Sequence, residues 1–232
     1  ANLDSLDYFI GLSKYWDQYR YGIRVNYQTT ESDPLDGYLN TASATELKGY
    51  IKHQNNNFNI FAELEYGMQS DDLTSVISGK LSAVWFTSPK LITAGTLYRD
   101  RIEDSILSFM GTYDEAERRG AVTATGARGL ISYTFKPNWS AGVGINSALL
   151  NGEQVEDNSK VAAQLSLTRS LPHLYKEQLD YLRVGPSLRW MSYDKDLSNY
   201  DDDNGGYFSP EQYINLGGSA SLLTHENKKW QL

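Results

Sequence analysis

Residues 179–193 read LDYLRVGPSLRWMSY. Leu182, Val184, Pro186, Leu188 and Trp190 fall at every second position, with Arg183, Ser187 and Arg189 between them. Successive side chains of a β-strand point to opposite faces, so this stretch predicts a strand with one greasy side and one charged side. A long acidic stretch follows, SNYDDDNGGYFSPEQ (198–212), and a second alternating run opens at Tyr213. Strand, long polar loop, strand is half of one plan, and the rest of the chain repeats it.

The first hundred residues show the plan twice. Tyr8, Ile10, Leu12 and Trp16 share one side of the first run, and Tyr19, Tyr21, Ile23, Val25 and Tyr27 share one side of the second. A two-residue turn at Asp17-Gln18 pairs Trp16 with Tyr19 and Leu12 with Ile23, which keeps both apolar sets together. In the next hairpin Leu47, Gly49 and Ile51 return as Phe58, Ile60, Ala62, Leu64 and Tyr66. Its other side carries Glu46, Lys48, Tyr50 and Lys52 against Asn59, Phe61, Glu63 and Glu65, so Lys48 faces Glu63 or Glu65 according to register.

Further along, Ile77, Gly79, Leu81, Ala83 and Trp85 alternate with Ser78, Lys80 and Ser82. The run from Leu91 to Arg99 does not declare an apolar face. Asp100 to Gly120 reads as a long loop with an apolar patch at Ile106, Leu107, Phe109 and Met110. Gly129, Ile131, Tyr133 and Phe135 turn at Lys136-Pro137-Asn138 into Trp139, Ala141, Val143 and Ile145, and Asn151 to Asn158 reads as another polar loop before Val161, Ala163, Leu165 and Leu167. Short turns are expected near 17, 56, 89, 137 and 175, and long loops near 36, 70, 110, 154 and 203.

Composition narrows the class. The 232 residues include seventeen tyrosines and five tryptophans, whose rings collect where oil meets water. There is no cysteine, hence no disulfide framework and no thiolate metal site. No apolar run is long enough for a membrane-spanning helix. The opening ANLDSLDYF does not read as a signal peptide; such a segment is either already removed or the chain begins inside a larger protein. A net charge of −8 argues against a nucleic-acid partner. Short turns alternating with long loops, and aromatics at the ends of so many alternating strands, predict an all-β, antiparallel transmembrane β-barrel rather than a sandwich, occupying residues 1–232 as one domain. About eleven strands are read, an odd number for a closed single-chain bacterial barrel, so further strands are expected at both ends.

Three loop stretches carry a family resemblance: DSILSFMGT (104–112), NGEQVEDN (151–158) and GGYFSPEQY (205–213). In this order and spacing they resemble the C-terminal outer-membrane β-barrel domain of the exopolysaccharide export porin of bacterial cellulose synthase. The resemblance implies a sixteen-stranded barrel that exports a nascent exopolysaccharide from the periplasm to the cell surface. It also implies an array of tetratricopeptide repeats, absent from this sequence, that links the barrel to an inner-membrane synthase complex. The implied partners are therefore a polysaccharide chain and outer-membrane lipid as well as that synthase.

Export of such a polymer needs a wet passage, not a catalyst or cofactor. Arg20, Arg24, Glu46, Lys48, Tyr50, Lys52, Phe61, Glu63, Glu65, Arg128, Arg183 and Arg189 are the inward candidates for sugar contact. Trp16, Tyr19, Tyr21, Trp85, Phe135, Trp139 and Trp190 are expected at the membrane interfaces, with Lys14 snorkelling beside the first turn. No enzyme site is expected. His53, His173 and His225 lie far apart, and Glu63 and Glu65, which could mimic a glycosidase pair, both lie near lysine. Asp201-Asp202-Asp203-Asn204-Gly205 misses the calcium-loop pattern and reads as a solvated loop; no metal is expected. Cellulose is the expected cargo. A cationic amino-sugar polymer is the alternative, and an acidic lumen wall would favour it, whereas a mixed wall favours a neutral glucan. A structural or adhesive barrel would instead have a plugged lumen.

Overall fold

A computed structural model describes residues 3–32, 41–69, 75–109, 111–114, 117–171, 179–199 and 203–224. The strands are β1 (Leu3–Trp16), β2 (Tyr19–Ser32), β3 (Thr41–Gln54), β4 (Phe58–Gln69), β5 (Val76–Ser88), β6 (Leu91–Arg101), β7 (Thr112–Asp114), β8 (Glu117–Lys136), β9 (Trp139–Glu153), β10 (Val155–Ser170), β11 (Leu179–Tyr193) and β12 (Tyr213–Thr224), with a one-turn helix α1 (Ile106–Phe109) between β6 and β7. All but β7 follow one another in a single antiparallel sheet in chain order, and β7 attaches to β8. Among the described residues β1 pairs with β2 alone and β12 with β11 alone.

Turn chemistry sets the register. Asp17, with φ at 52°, lets Trp16 pair with Tyr19, and the ladder then places Leu12 on Ile23, Ile10 on Val25 and Tyr8 on Tyr27, as the alternation predicts. Asn55 Oδ1 accepts from the Asn57 and Phe58 amides at 2.8 Å each and closes the second hairpin. That turn resolves the open choice: Lys48 faces Glu65, and Glu63 faces Tyr50. Asn138, at φ 68°, does the same work between β8 and β9, where asparagine tolerates the left-handed region. The expected turn near 175 and the cluster at Asp201-Asp202 lie outside the described residues, as do His173 and His225.

β6 also declares its faces here. Leu91 and Leu97 join the apolar side through Tyr133 and Ala127, while Thr96 and Tyr98 join the polar side. Two stretches depart from expectation. Asn151–Asn158 is not a long loop: β9 runs to Glu153, Gln154 alone turns at φ 50°, and β10 starts at Val155. Polar residues on both faces hide a strand that continues past the greasy band into water. Likewise β8 begins at Glu117, well before the alternation that marks it.

The sheet is rolled. Helix α1 touches β8 and also β2, five strand spacings away. A flat sheet would hold those strands about 24 Å apart, and one helical turn is only about 6 Å long. The polar face is on the inside of the curl, because Arg101 lies against Gly67 on that face and stacks 5.5 Å from the Phe109 ring of α1. Among the described residues no second sheet covers the apolar face. Ile10 is 74% exposed, Ile23 57% and Leu216 78%, so this is not a sandwich core turned inward. The compact core sits instead at the long-loop end, around Val122, Leu150, Tyr193, Leu197 and Tyr207.

Candidate functional site

The apolar face carries its aromatics in two tiers. Trp16, Tyr19, Tyr21, Phe58, Trp85, Tyr133, Phe135 and Trp139 lie toward the short-turn ends of their strands, and Tyr8, Tyr27, Tyr66 and Trp190 toward the long-loop ends. Trp16 and Tyr8, Tyr19 and Tyr27, and Phe58 and Tyr66 are each eight positions apart on one strand, about 26 Å along it. Tilted as barrel strands are, that spacing suits an apolar band about 25 Å tall. The sequence reading named the tier near the turns except Phe58 and Tyr133 and, of the far tier, only Trp190. Arg169, on this face near the turns, stacks 5.4 Å from the Trp139 ring.

The polar face gathers the inward candidates into two recesses. Arg20, Arg24, Lys48, Tyr50, Lys52, Phe61 and Glu63 line a cavity of about 300 Å³ across β2, β3 and β4. Arg128 and Arg189 line a second, of about 330 Å³, across β8 to β11. Its other polar lining is Asn146, Gln164 and Lys160, and its floor is Gly144, Ala162 and Ala163. Arg183 stands apart from both, opposite Ser170 and Ser221 near the short-turn end. Lys160, Lys80 and Tyr98 escaped the sequence reading. Lys80 and Lys160 alternate with apolar neighbours and were legible; Tyr98 was hidden by the undeclared faces of β6.

Glu46 and Glu65 flank Lys48, whose Nζ lies 3.2 Å from one carboxylate and 2.6 Å from the other. Asn26 Nδ2 donates to Glu46 at 3.2 Å. Glu63 stands opposite Lys80 in the β4–β5 register. His53 packs between the Tyr19 and Phe58 rings, at 4.7 and 5.2 Å, on the apolar face. Among the described residues no group of acids and histidines could hold a metal ion.

Cations outnumber carboxylates along the strands. Along the strands the polar face presents Arg20, Arg24, Lys48, Lys52, Lys80, Arg128, Lys160 and Arg189 against Glu46, Glu63 and Glu65. The chain is acidic overall, yet this wall is basic.

The three stretches that carry the family resemblance converge on one cap at the long-loop end. In DSILSFMGT, Ser105 and Ser108 cap α1 reciprocally, Ser108 N donating to Ser105 Oγ at 3.1 Å and Ser105 N to Ser108 Oγ at 3.0 Å. Gly111, at φ 79°, ends the turn with its amide on the Leu107 carbonyl. In NGEQVEDN, Asn158 donates to the Lys195 carbonyl at 2.7 Å and to Tyr207 Oη at 3.1 Å, and accepts from the Lys195 amide at 3.0 Å. In GGYFSPEQY, Gly206 takes φ 62°, and Gly205 lies so close under the Tyr207 ring that a Cβ would stand 2.5 Å from it. Tyr207 is 1% exposed, and burial pushes its phenol up. The Phe208 amide donates to Asp104 Oδ2 at 2.9 Å and ties the first stretch to the third.

An antiparallel sheet rolled with its charges inward, its greasy face uncovered and its loops tied together at one end is an incomplete β-barrel. The family model for the C-terminus of cellulose synthase operon protein C matches residues 28–232, and the chain belongs to that family. Cellulose synthase operon protein C of Xanthomonas axonopodis pv. citri (strain 306) is 34% identical over 122 residues, 51% of this chain and 8% of that protein. The protein of that name in Salmonella typhimurium (strain LT2) is 29% identical over 140 residues, 58% of this chain and 12% of that protein. Cellulose synthase 2 operon protein C of Komagataeibacter xylinus is 28% identical over 134 residues, 57% and 10% respectively. The chain thus matches about a tenth of the length of these relatives, and the family ties it to the cellulose synthase operon.

Proposed function

We propose that residues 1–232 form part of an outer-membrane pore that carries a nascent exopolysaccharide, cellulose, from the periplasm to the cell surface. One observation carries the reading: among the described residues the long strands show an exposed apolar side and a polar side that faces inward, in a chain of a cellulose synthase operon family. Lipid would cover the first side and the polymer would pass along the second. The short turns would face the periplasm and the loop cap the outside. Tyr50 and Phe61, with ring centroids 6.4 Å apart, offer flat apolar surface for sugar rings, and the surrounding donors offer exchangeable hydrogen bonds. The part is a conduit with no chemical step, and its link to an inner-membrane synthase would run through helical repeats outside this sequence. The basic wall would repel a cationic amino-sugar polymer, so it favours the glucan over that alternative.

Reconstitution tests this. The full-length protein in liposomes, with β-glucan chains on one side, is expected to pass them to the other. Liposomes that stay closed to glucan and to small solutes alike would refute the reading.

A further inference from the structure

The second recess and the β2–β3 ladder share a feature that passage of a neutral sugar does not require. On β2 and β3, Arg20 stands directly opposite Lys52 and Arg24 opposite Lys48. Like charges facing each other across a strand pair destabilise it. Lys48 is offset by its two glutamates, but Lys52 has Phe61 on its other side and Arg20 has Tyr15. In the second recess Arg128, Lys160 and Arg189 surround a floor of glycine and alanine, with the amides of Asn146 and Gln164 between them and no carboxylate in the lining. Among the described residues none of these five cations makes an ion pair; the loop carboxylate Asp104 acts on Lys160 only from a distance.

Three of the five lie over aromatic rings, and Arg20 also donates to Ser13 Oγ at 3.3 Å. Arg20 lies 5.3 Å from the Tyr15 ring, Arg128 5.6 Å from Tyr98 and Lys160 5.1 Å from Tyr193. A ring face orients a cation without neutralising it. A carboxylate would fix the same side chain and cancel its charge. The arrangement therefore keeps positive charge oriented and available along the polar wall. Arg128 and Arg189, three strand spacings and two register steps apart, stand about 16 Å from each other at the backbone, and both line the one recess.

We propose that these cations bind oxyanion groups, carboxylate or phosphate, carried as substituents on the polysaccharide that passes. The recess of Arg128, Lys160 and Arg189 is one such station and the Arg20–Lys52 rung another. This rests on the export reading and narrows its substrate to a glucan bearing acidic groups. A planar guanidinium takes an oxyanion through two parallel N–H bonds, and the flanking amides complete its shell. Passing from one station to the next would keep each contact weak enough to release.

The test uses the full-length protein in planar bilayers, with current block as the readout. The probes are an oligogalacturonate, a cello-oligosaccharide of equal length and inorganic phosphate. The oligogalacturonate is expected to block at about tenfold lower concentration than the cello-oligosaccharide, and the preference to shrink as salt screens it. Free phosphate at matched charge is expected to block far less. The variant Arg128→Gln/Lys160→Gln/Arg189→Gln is expected to bring the two sugars within about twofold of each other, with the larger loss falling on block by the oligogalacturonate. Arg20→Gln/Lys52→Gln gives a second, independent variant should the first fail to insert. Equal block by both sugars, an unchanged preference in the variants, or block by phosphate at equal strength would each overturn the proposal. Glucan transport without acidic preference would leave the export reading standing and remove only this one.

Discussion

Lys48 is the residue on which most of the wall's acidic charge depends. Its ammonium holds Glu46 and Glu65, whose side chains are only 7% and 12% exposed, from between two strands. Its removal leaves two carboxylates facing each other with Asn26 as the remaining partner. Lys48→Met should cost about 1–3 kcal/mol, less than a fully dry ion pair because the face is wet. A lower temperature for loss of the folded band on unheated gels would read it. Glu65→Gln in the same background should restore part of the loss by removing the repulsion. The alternation alone could place these three on one face, but the partner of Lys48 depended on one asparagine turn, which periodicity does not encode.

At the scale of elements, the strands were legible and the cap was not. Alternation and turn residues gave the β1–β2 ladder to the residue. The apolar patch of 106–110 belongs to a loop whose helix is a single turn, too short to show a period, and its purpose appears only when Asp104 meets Phe208 a hundred residues away. The reading of 151–158 as a loop failed because a strand that runs past the apolar band has no reason to alternate. The cap itself makes two predictions. Asn158→Ala strips four hydrogen bonds from a buried amide, three of them to the cap, and should loosen the cap by about 1–3 kcal/mol, visible as faster proteolysis within 194–212 while the strands stay protected. Tyr207 titrates above its ordinary 10.0 because burial disfavours the phenolate. The docked cap therefore binds that proton more tightly than the open one does. Its stability is full below pH 10.0 and falls as pH rises through the raised value. Part of the tyrosinate absorbance should appear together with cap release, and Tyr207→Phe should shrink that step.

At the scale of the molecule, the two faces give opposite answers to the same substitution. Val143, between Ile131 and Leu165, points to the uncovered side. Val143→Arg should cost about 2–4 kcal/mol of folding stability in bilayers, whereas Ser166→Arg, one row away on the polar side, should be nearly neutral. Urea titration of the refolded protein in lipid vesicles distinguishes them. Equal costs would mean that the apolar face does not meet lipid. The outer strands β1 and β12 bring a different consequence. Each shows a row of backbone amides and carbonyls with no neighbour among the described residues, and hydrocarbon offers such groups no solvent with which to bond. These 232 residues, expressed by themselves and extracted into detergent, should zip onto copies of themselves along those margins and migrate as a ladder of multimers, and adding the flanking polypeptide should collapse the ladder to one species.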